Sequence, residues 1–143
     1  QVIHLCGKGK MDESLKLEGY VQYEYISKEL KDLMAAADII LSRAGANSIC
    51  EFLALHKPNI LVPLSAAASR GDQILNARSF EKQGYSYVIE EEKLTKESLL
   101  EGIYSVYQNR QKFIDAMEKS RLNDGVAVVS GLLKELAGKK RFD

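Results

Sequence analysis

Three short stretches of the sequence carry residue types able to hold a ligand. The first, Gly7-Lys8-Gly9-Lys10, has the glycines and lysines of a phosphate loop. It misses both common patterns: Met11 stands where a Walker loop needs Ser or Thr, and the third glycine of a dinucleotide fingerprint is absent. A tight polar turn accounts for it as well as a ligand does. The second stretch, Ser42-Arg43-Ala44-Gly45-Ala46-Asn47-Ser48, is built of small residues and leads into a helical pattern. Small side chains let backbone approach a ligand closely, and free N–H groups at a helix start favour an anion such as a diphosphate. Ser48-Ile49-Cys50-Glu51 also has capping-box spacing, so Glu51 can equally be read as a partner of backbone at the helix start. The third stretch ends Ser69-Arg70-Gly71-Asp72-Gln73, with Asn76 one turn on. Gln73 and Asn76 can present their amides on one helix face, and paired amides suit sugar hydroxyls, which both donate and accept. The plainer reading has Asp72 capping the helix and both amides merely exposed.

Other chemistry finds little support. His4 falls in a strand pattern and His56 near a helix end before Pro58, so neither is placed as a base, and no nucleophile elbow is present. No Asp-x-Asp pair supplies a metal–diphosphate clamp, and Cys6 and Cys50 lack metal-ligand spacing, so no metal site is expected. Two buried, reduced thiols are expected instead.

These stretches need elements to position them. Strand patterns run from Val2 to Cys6, Val21 to Tyr25, Ile39 to Leu41, Asn59 to Val62 and Tyr85 to Ile89. Between them lie helical patterns, from Lys28 to Ala37, Ser48 to His56 and Asp72 to Gln83, the last stopped by Gly84. Glu90-Glu91-Glu92 reads as a solvated turn, and Thr95 as the cap of a helix carrying Leu99, Leu100, Ile103, Val106 and Tyr107. Asn109-Arg110 breaks it before a short helix marked by Phe113, Ile114 and Met117. Asn123-Asp124-Gly125 is a turn before a last helix with Val129, Leu132, Leu133 and Leu136 inward, and Lys139-Lys140-Arg141 a frayed tail. Strands separated by helices predict an α/β fold with a Rossmann-like parallel sheet and flanking helices. In such a fold ligands gather beyond the carboxyl ends of the strands, where all three stretches fall.

Composition agrees. The 143 residues suit one domain, residues 1–143, with 45% hydrophobic and 28% charged residues. Twenty basic residues balance 20 acidic ones, which argues against a nucleic-acid partner. No apolar run approaches the roughly 18 residues of a transmembrane helix. The chain starts at Gln1 with neither an initiator Met nor a signal peptide, and so reads as a piece of something longer.

One ordered set of residues is more specific than any single motif. His4-Leu5-Cys6-Gly7-Lys8-Gly9, Ala36-Ala37-Asp38, Ser42-Arg43-Ala44-Gly45-Ala46, Cys50-Glu51, Pro58, Val62-Pro63 and Asp72-Gln73-Ile74-Leu75-Asn76-Ala77 follow one another as in the MurG family. The chain closely resembles the C-terminal domain of these peptidoglycan N-acetylglucosaminyltransferases over nearly its whole length. The resemblance implies the donor-binding half of an inverting transferase of GT-B fold, holding UDP-N-acetylglucosamine and needing no cofactor. It implies transfer to the muramoyl-pentapeptide on undecaprenyl diphosphate, in the cytoplasm at the inner face of the membrane. By position, Ile26 would meet uracil through its backbone and Glu51 would bind the ribose hydroxyls. Ala46, Asn47, Ser48 and Ile49 would line the sugar and diphosphate, and Gln73 and Asn76, with Asp72 nearby, would read the sugar hydroxyls. Arg43, Gly45 and Arg70 are further candidates.

The family's acceptor domain, expected to carry the catalytic base and the membrane contact, is not in this sequence, and nor is its first strand with a glycine-rich loop. The chain alone is therefore expected to be inactive, with a sheet edge left bare for association. Two other readings remain: the sugar-nucleotide subunit of a naturally split transferase, and a nonenzymatic nucleotide-binding module.

Overall fold

The structure, a computed structural model, describes residues 1–120 and 125–139. It divides into two compact units, one spanning Gln1–Ala37 and one starting at Asp38.

In the first unit β1 (Val2–Leu5) and β2 (Tyr20–Tyr23) pair in parallel, Val2 opposite Tyr20 and Leu5 opposite Tyr23. Helix α1 (Leu30–Ala36) follows, starting later than the Lys28 that composition suggests. Leu33 and Met34 are half-buried, and no residue of α1 is fully buried.

The second unit holds a three-stranded parallel sheet of β3 (Ile40–Ser42), β4 (Asn59–Leu61) and β5 (Ser86–Val88), with β4 central. All three residues of β4 are buried, as expected of a strand covered on both faces. Its buried polar residue is satisfied: Ser86 Oγ donates to Asn59 Oδ1 at 2.6 Å, and Asn59 Nδ2 donates to the carbonyls of Lys57 and Tyr85. The register sets Ser42, Leu61 and Val88 level. The loops that leave β3 and β4 therefore start side by side.

Helices α2 (Ala46–Ala54), α3 (Asp72–Lys82) and α4 (Lys96–Gln108) each follow one of these strands, and α5 (Arg110–Glu118) and α6 (Gly125–Lys139) complete the unit. The core joins Ile60, Val62, Ile89 and Val106, with Ile39, Tyr87, Leu99 and Phe113 packed on them. Helix α2 adds Ile49, Phe52 and Leu53; α3 adds Ala77 and Phe80, whose ring meets Tyr85 edge-on at 5.5 Å. Helix α4 passes close over β5 at Gly102, where a Cβ would come within 3.2 Å of the Tyr87 ring and 3.3 Å of Ile89. Among the described residues no helix is long and apolar enough to cross a membrane.

Four expectations are corrected. Helix α2 starts at Ala46, not Ser48, and stops at Ala54, where His56 takes a left-handed φ of 49° ahead of Pro58. Cys50 is exposed and Cys6 only half-buried, because α2 turns the face of Ile49, Phe52 and Leu53 inward and leaves Cys50 outside it. On α4 only Gly102 and Val106 are fully buried, while Leu100, Ile103 and Tyr107 are exposed. Helix α6 forms, but Val129, Leu132, Leu133 and Leu136 face solvent. A helical period predicts an apolar stripe; it does not supply the surface that covers the stripe. The break at Asn109 occurs where expected. Asn123 and Asp124 of the expected turn, and the tail beyond Lys139, lie outside the described residues.

Candidate functional site

Helix α2 begins on Gly45, whose φ of −67° and ψ of 138° are extended, and no side chain caps it. The N–H groups of Ala46, Asn47 and Ser48 therefore have no acceptor within the helix. Ala46 and Asn47 are exposed and Ser48 is half-buried, while Ile49 turns its side chain into the core. Glu51 follows one turn after Asn47, on the same face, and is exposed. The capping-box reading of Ser48 and Glu51 is corrected, because Ser48 lies inside the helix and the cap position belongs to Gly45. The carboxylate is left without that partner.

Helix α3 also begins uncapped, on Gly71 with a left-handed φ of 84°. That conformation costs a side chain about 1–2 kcal/mol, so the turn into α3 selects glycine. Asp72 is the first helical residue rather than the cap, which corrects the plainer reading of it. Its carboxylate and Arg70 are exposed. Gln73 and Asn76 are half-buried, not merely exposed, and each is already used on one side. Gln73 Oε1 accepts from the N–H of Leu64 at 3.1 Å, and Asn76 Nδ2 donates to the carbonyl of Ala44 at 3.1 Å. These bonds leave the amide N–H groups of Gln73 and, on Asn76, the carbonyl oxygen and the second N–H unspent. The Asn76 bond also brings α3 onto the β3–α2 loop, so the second and third sequence stretches meet.

Glu91 was hidden in the sequence. Glu90-Glu91-Glu92 reads there as a solvated turn, yet at the 3-10 turn over Glu91–Lys93 the Glu90 and Glu91 carboxylates take different partners. Glu91 Oε1 pairs with Arg43 Nη2 at 2.7 Å, and its Oε2 accepts from the N–H of Ser65 at 3.0 Å. Arg43 Nη1 donates in turn to the carbonyl of Val62 at 3.2 Å. The Ser65 N–H, and after it the Arg43 guanidinium, hold the Glu91 carboxyl below the usual glutamate range. Glu90 pairs instead with Lys93, which lowers the one and raises the other. The one signal available beforehand was an acidic run at the carboxyl end of a strand, close to where the other loops were expected.

A groove of about 490 Å3 is lined by Glu91 together with Pro63, Leu64, Ile74, Tyr87, Ile89 and Arg78. None of the residues singled out for the donor lines it.

Ile26 lies in the first unit, half-buried beside a cleft of about 440 Å3 that it shares with Tyr23, Tyr25, Ser27, Glu29 and Leu33. In the Gly7–Lys10 loop, the N–H of Lys10 closes a turn onto Gly7 at 3.1 Å, and the N–H of Gly9 donates to Glu24 at 2.8 Å. A backbone group that a phosphate loop would offer is thus spent on a carboxylate. His4 is exposed and bonded through Nδ1 to the Tyr20 hydroxyl at 2.7 Å. Among the described residues no three His, Cys, Asp or Glu side chains are grouped to hold a metal ion.

Parallel strands with flanking helices, two of which start uncapped at the carboxyl edge of the β3-β4-β5 sheet, define an α/β fold of Rossmann-like type. The particular family follows from comparison. The model described as "Glycosyltransferase family 28 C-terminal domain" matches residues 1–130, and the chain belongs to that family. It is 65% identical over 137 residues to the UDP-N-acetylglucosamine--N-acetylmuramyl-(pentapeptide) pyrophosphoryl-undecaprenol N-acetylglucosamine transferase of Lachnoclostridium phytofermentans, covering 95% of this chain and 39% of that protein. It is 61% identical to the protein of the same name from Clostridium perfringens strain SM101, covering 95% of this chain and 38% of that one. The chain thus spans under two fifths of the length of these relatives. Among solved structures, Acinetobacter baumannii MurG superposes with a TM-score of 0.70 at 22% identity, over 92% of this chain and 40% of that one. A glycotransferase of kitacinnamycin does so with a TM-score of 0.73 at 17% identity, over 93% of this chain and 34% of that one. At such identities the structures speak for the fold.

Proposed function

We propose that residues 1–143 are the donor-binding domain of an inverting glycosyltransferase. Its full-length form moves N-acetylglucosamine from UDP-N-acetylglucosamine to a muramoyl-pentapeptide carried on undecaprenyl diphosphate. The observation that carries this reading is the start of α2: uncapped backbone N–H groups with the Glu51 carboxylate one turn further on the same face. The names of the relatives support the choice of substrates.

In this reading the N–H groups of Ala46, Asn47 and Ser48 hold the diphosphate. Negative charge grows on the UDP leaving group as the glycosidic bond breaks, so fixed N–H dipoles stabilise the transition state more than the ground state. Ile49 anchors that turn through its buried side chain, and its N–H closes the first helical bond onto the Gly45 carbonyl at 3.1 Å. Glu51 accepts hydrogen bonds from the ribose diol. The unspent N–H groups of Gln73 and carbonyl oxygen of Asn76 read the sugar hydroxyls, with Asp72 close by. The base that activates the acceptor hydroxyl belongs to a part of the enzyme outside this chain. So does the contact with the cytoplasmic face of the membrane, which the lipid-linked acceptor requires.

The test is calorimetry on a full-length transferase carrying this chain. Glu51→Ala removes charge-assisted hydrogen bonds worth about 1.5–3 kcal/mol, so UDP affinity should fall about 10- to 150-fold with little change in melting. UDP lacking its 2′- or 3′-hydroxyl should bind the parent more weakly than UDP does, and bind the variant much as UDP does. Unchanged UDP affinity in Glu51→Ala overturns the ribose assignment.

A further inference from the structure

We propose that Glu91 is a positioning residue for the donor: its carboxylate ties the β3–α2 loop to the β4–α3 loop and so fixes the start of α2. The inference rests on the donor reading above and adds a residue to it that touches no ligand.

The geometry is that of a two-sided clamp. One carboxylate oxygen meets the Arg43 guanidinium at 2.7 Å and the other meets the Ser65 backbone N–H at 3.0 Å. Arg43 is two residues before Gly45, the N-cap of α2, and its other nitrogen is bonded to the Val62 carbonyl beyond β4. Ser65 begins the loop that ends at Gly71, the N-cap of α3. Glu91 thus reaches, from beyond β5, the backbone of the loop leading into α3 and, through the Arg43 side chain, the loop leading into α2. Two neutral bonds cross-link the same region, Gln73 to Leu64 and Asn76 to Ala44. The Glu91 clamp adds a charge-assisted contact to them; its side chains are 48% and 31% exposed, so solvent screens part of that strength.

The arrangement also accounts for Arg43. Held by Glu91 and Val62, its exposed guanidinium serves as a strut for the loop, with its charge balanced by the Glu91 carboxylate. The donor groups on α2 are backbone N–H groups, which cannot rotate to find a ligand as side chains do. Their placement is set by the loop before them, and small errors in placement cost binding steeply.

The experiment again uses a full-length transferase carrying this chain. Glu91→Ala should weaken UDP and UDP-N-acetylglucosamine alike, by about tenfold, because it moves the groups that hold their common diphosphate. The donor KM should rise and kcat should fall with it, because the displaced N–H groups also stabilise the charge growing on the leaving UDP, while the acceptor KM changes little. Glu91→Gln retains an acceptor for Ser65 and should lose about threefold. The reversed pair, Arg43→Glu with Glu91→Arg, should recover part of the loss of Arg43→Glu alone. If Glu91→Ala does not fold, Glu91→Gln and the reversed pair carry the test. Unchanged UDP affinity with a lowered melting temperature would make Glu91 a folding residue only and overturn the inference. Failure of the parent itself to bind UDP overturns the donor reading, and the positioning role with it. A parent that binds UDP, with variants that bind it equally well, overturns the positioning role alone.

Discussion

Three helices leave the carboxyl edge of the β3-β4-β5 sheet, and they begin in two different ways. Helices α2 and α3 start on Gly45 and Gly71 with no side-chain cap. Helix α4 starts on Thr95 with a complete capping box: the Thr95 hydroxyl accepts from the Ser98 N–H at 3.1 Å, and the Ser98 hydroxyl accepts from the Thr95 N–H at 2.8 Å. A buried or ligand-free helix gains from satisfying its first N–H groups internally. Two neighbouring helices forgo that gain and the third does not, and the open N–H groups of α2 are those that the proposed donor reading assigns to the diphosphate. The two uncapped helices are also the pair joined by Asn76, Gln73 and Glu91, whereas α4 stands apart behind its 3-10 turn.

The contrast can be broken most severely at Gly45. Its backbone is extended and a Cβ there meets nothing within 4 Å, so side chains are tolerated. Gly45→Asp should cap α2 with a carboxylate, hold or raise the melting temperature, and lower UDP affinity about 100-fold by occupying the N–H groups with negative charge. Gly45→Asn caps without charge and should lose about tenfold. Equal UDP binding by both variants and the parent would place the diphosphate away from α2.

Gly71 should respond in the opposite sense. Its φ of 84° is left-handed, so Gly71→Ala should cost folding about 1–2 kcal/mol, seen as a lower urea midpoint with an unchanged slope. A neutral result would mean that the turn relaxes to an ordinary φ.

Thr95→Ala is the smallest of the three. It should cost about 1 kcal/mol of stability and leave UDP affinity untouched, because the cap it removes serves only α4. A loss of UDP binding in this variant would end the distinction between the two kinds of helix start.

Much of the fold was legible, and for identifiable reasons. Each strand and α-helix of the described residues was expected, from apolar periodicity or, for α1, from composition, and Gly84 and Asn109 interrupt helices where their chemistry says they should; the 3-10 turn at Glu91–Lys93 was not expected. The candidate site was legible in part. The small-residue loop before α2 and the amides of Gln73 and Asn76 stood out by type and spacing. Ser48 and Glu51 misled, because a four-residue spacing shows that a capping box can form but not that the helix starts there. Glu91 was illegible for a different reason: its partners, Arg43 and Ser65, are 48 and 26 residues away and meet it only through the sheet register.

Residue order by itself determined the alternation of strand and helix, the small-residue loops, and the family to which the chain belongs. These follow from local backbone preference and from side-chain spacing along one element. Tertiary structure alone decided which apolar stripes are covered: Val106 is buried on α4, while Leu132 and Leu136 on α6 are exposed despite the same helical spacing. It alone decided that Gln73 and Asn76 spend one polar group on Leu64 and Ala44, and that one carboxylate of three becomes a clamp. Cover and partnership depend on surfaces brought together from distant parts of the chain, and no local pattern encodes which surfaces those are.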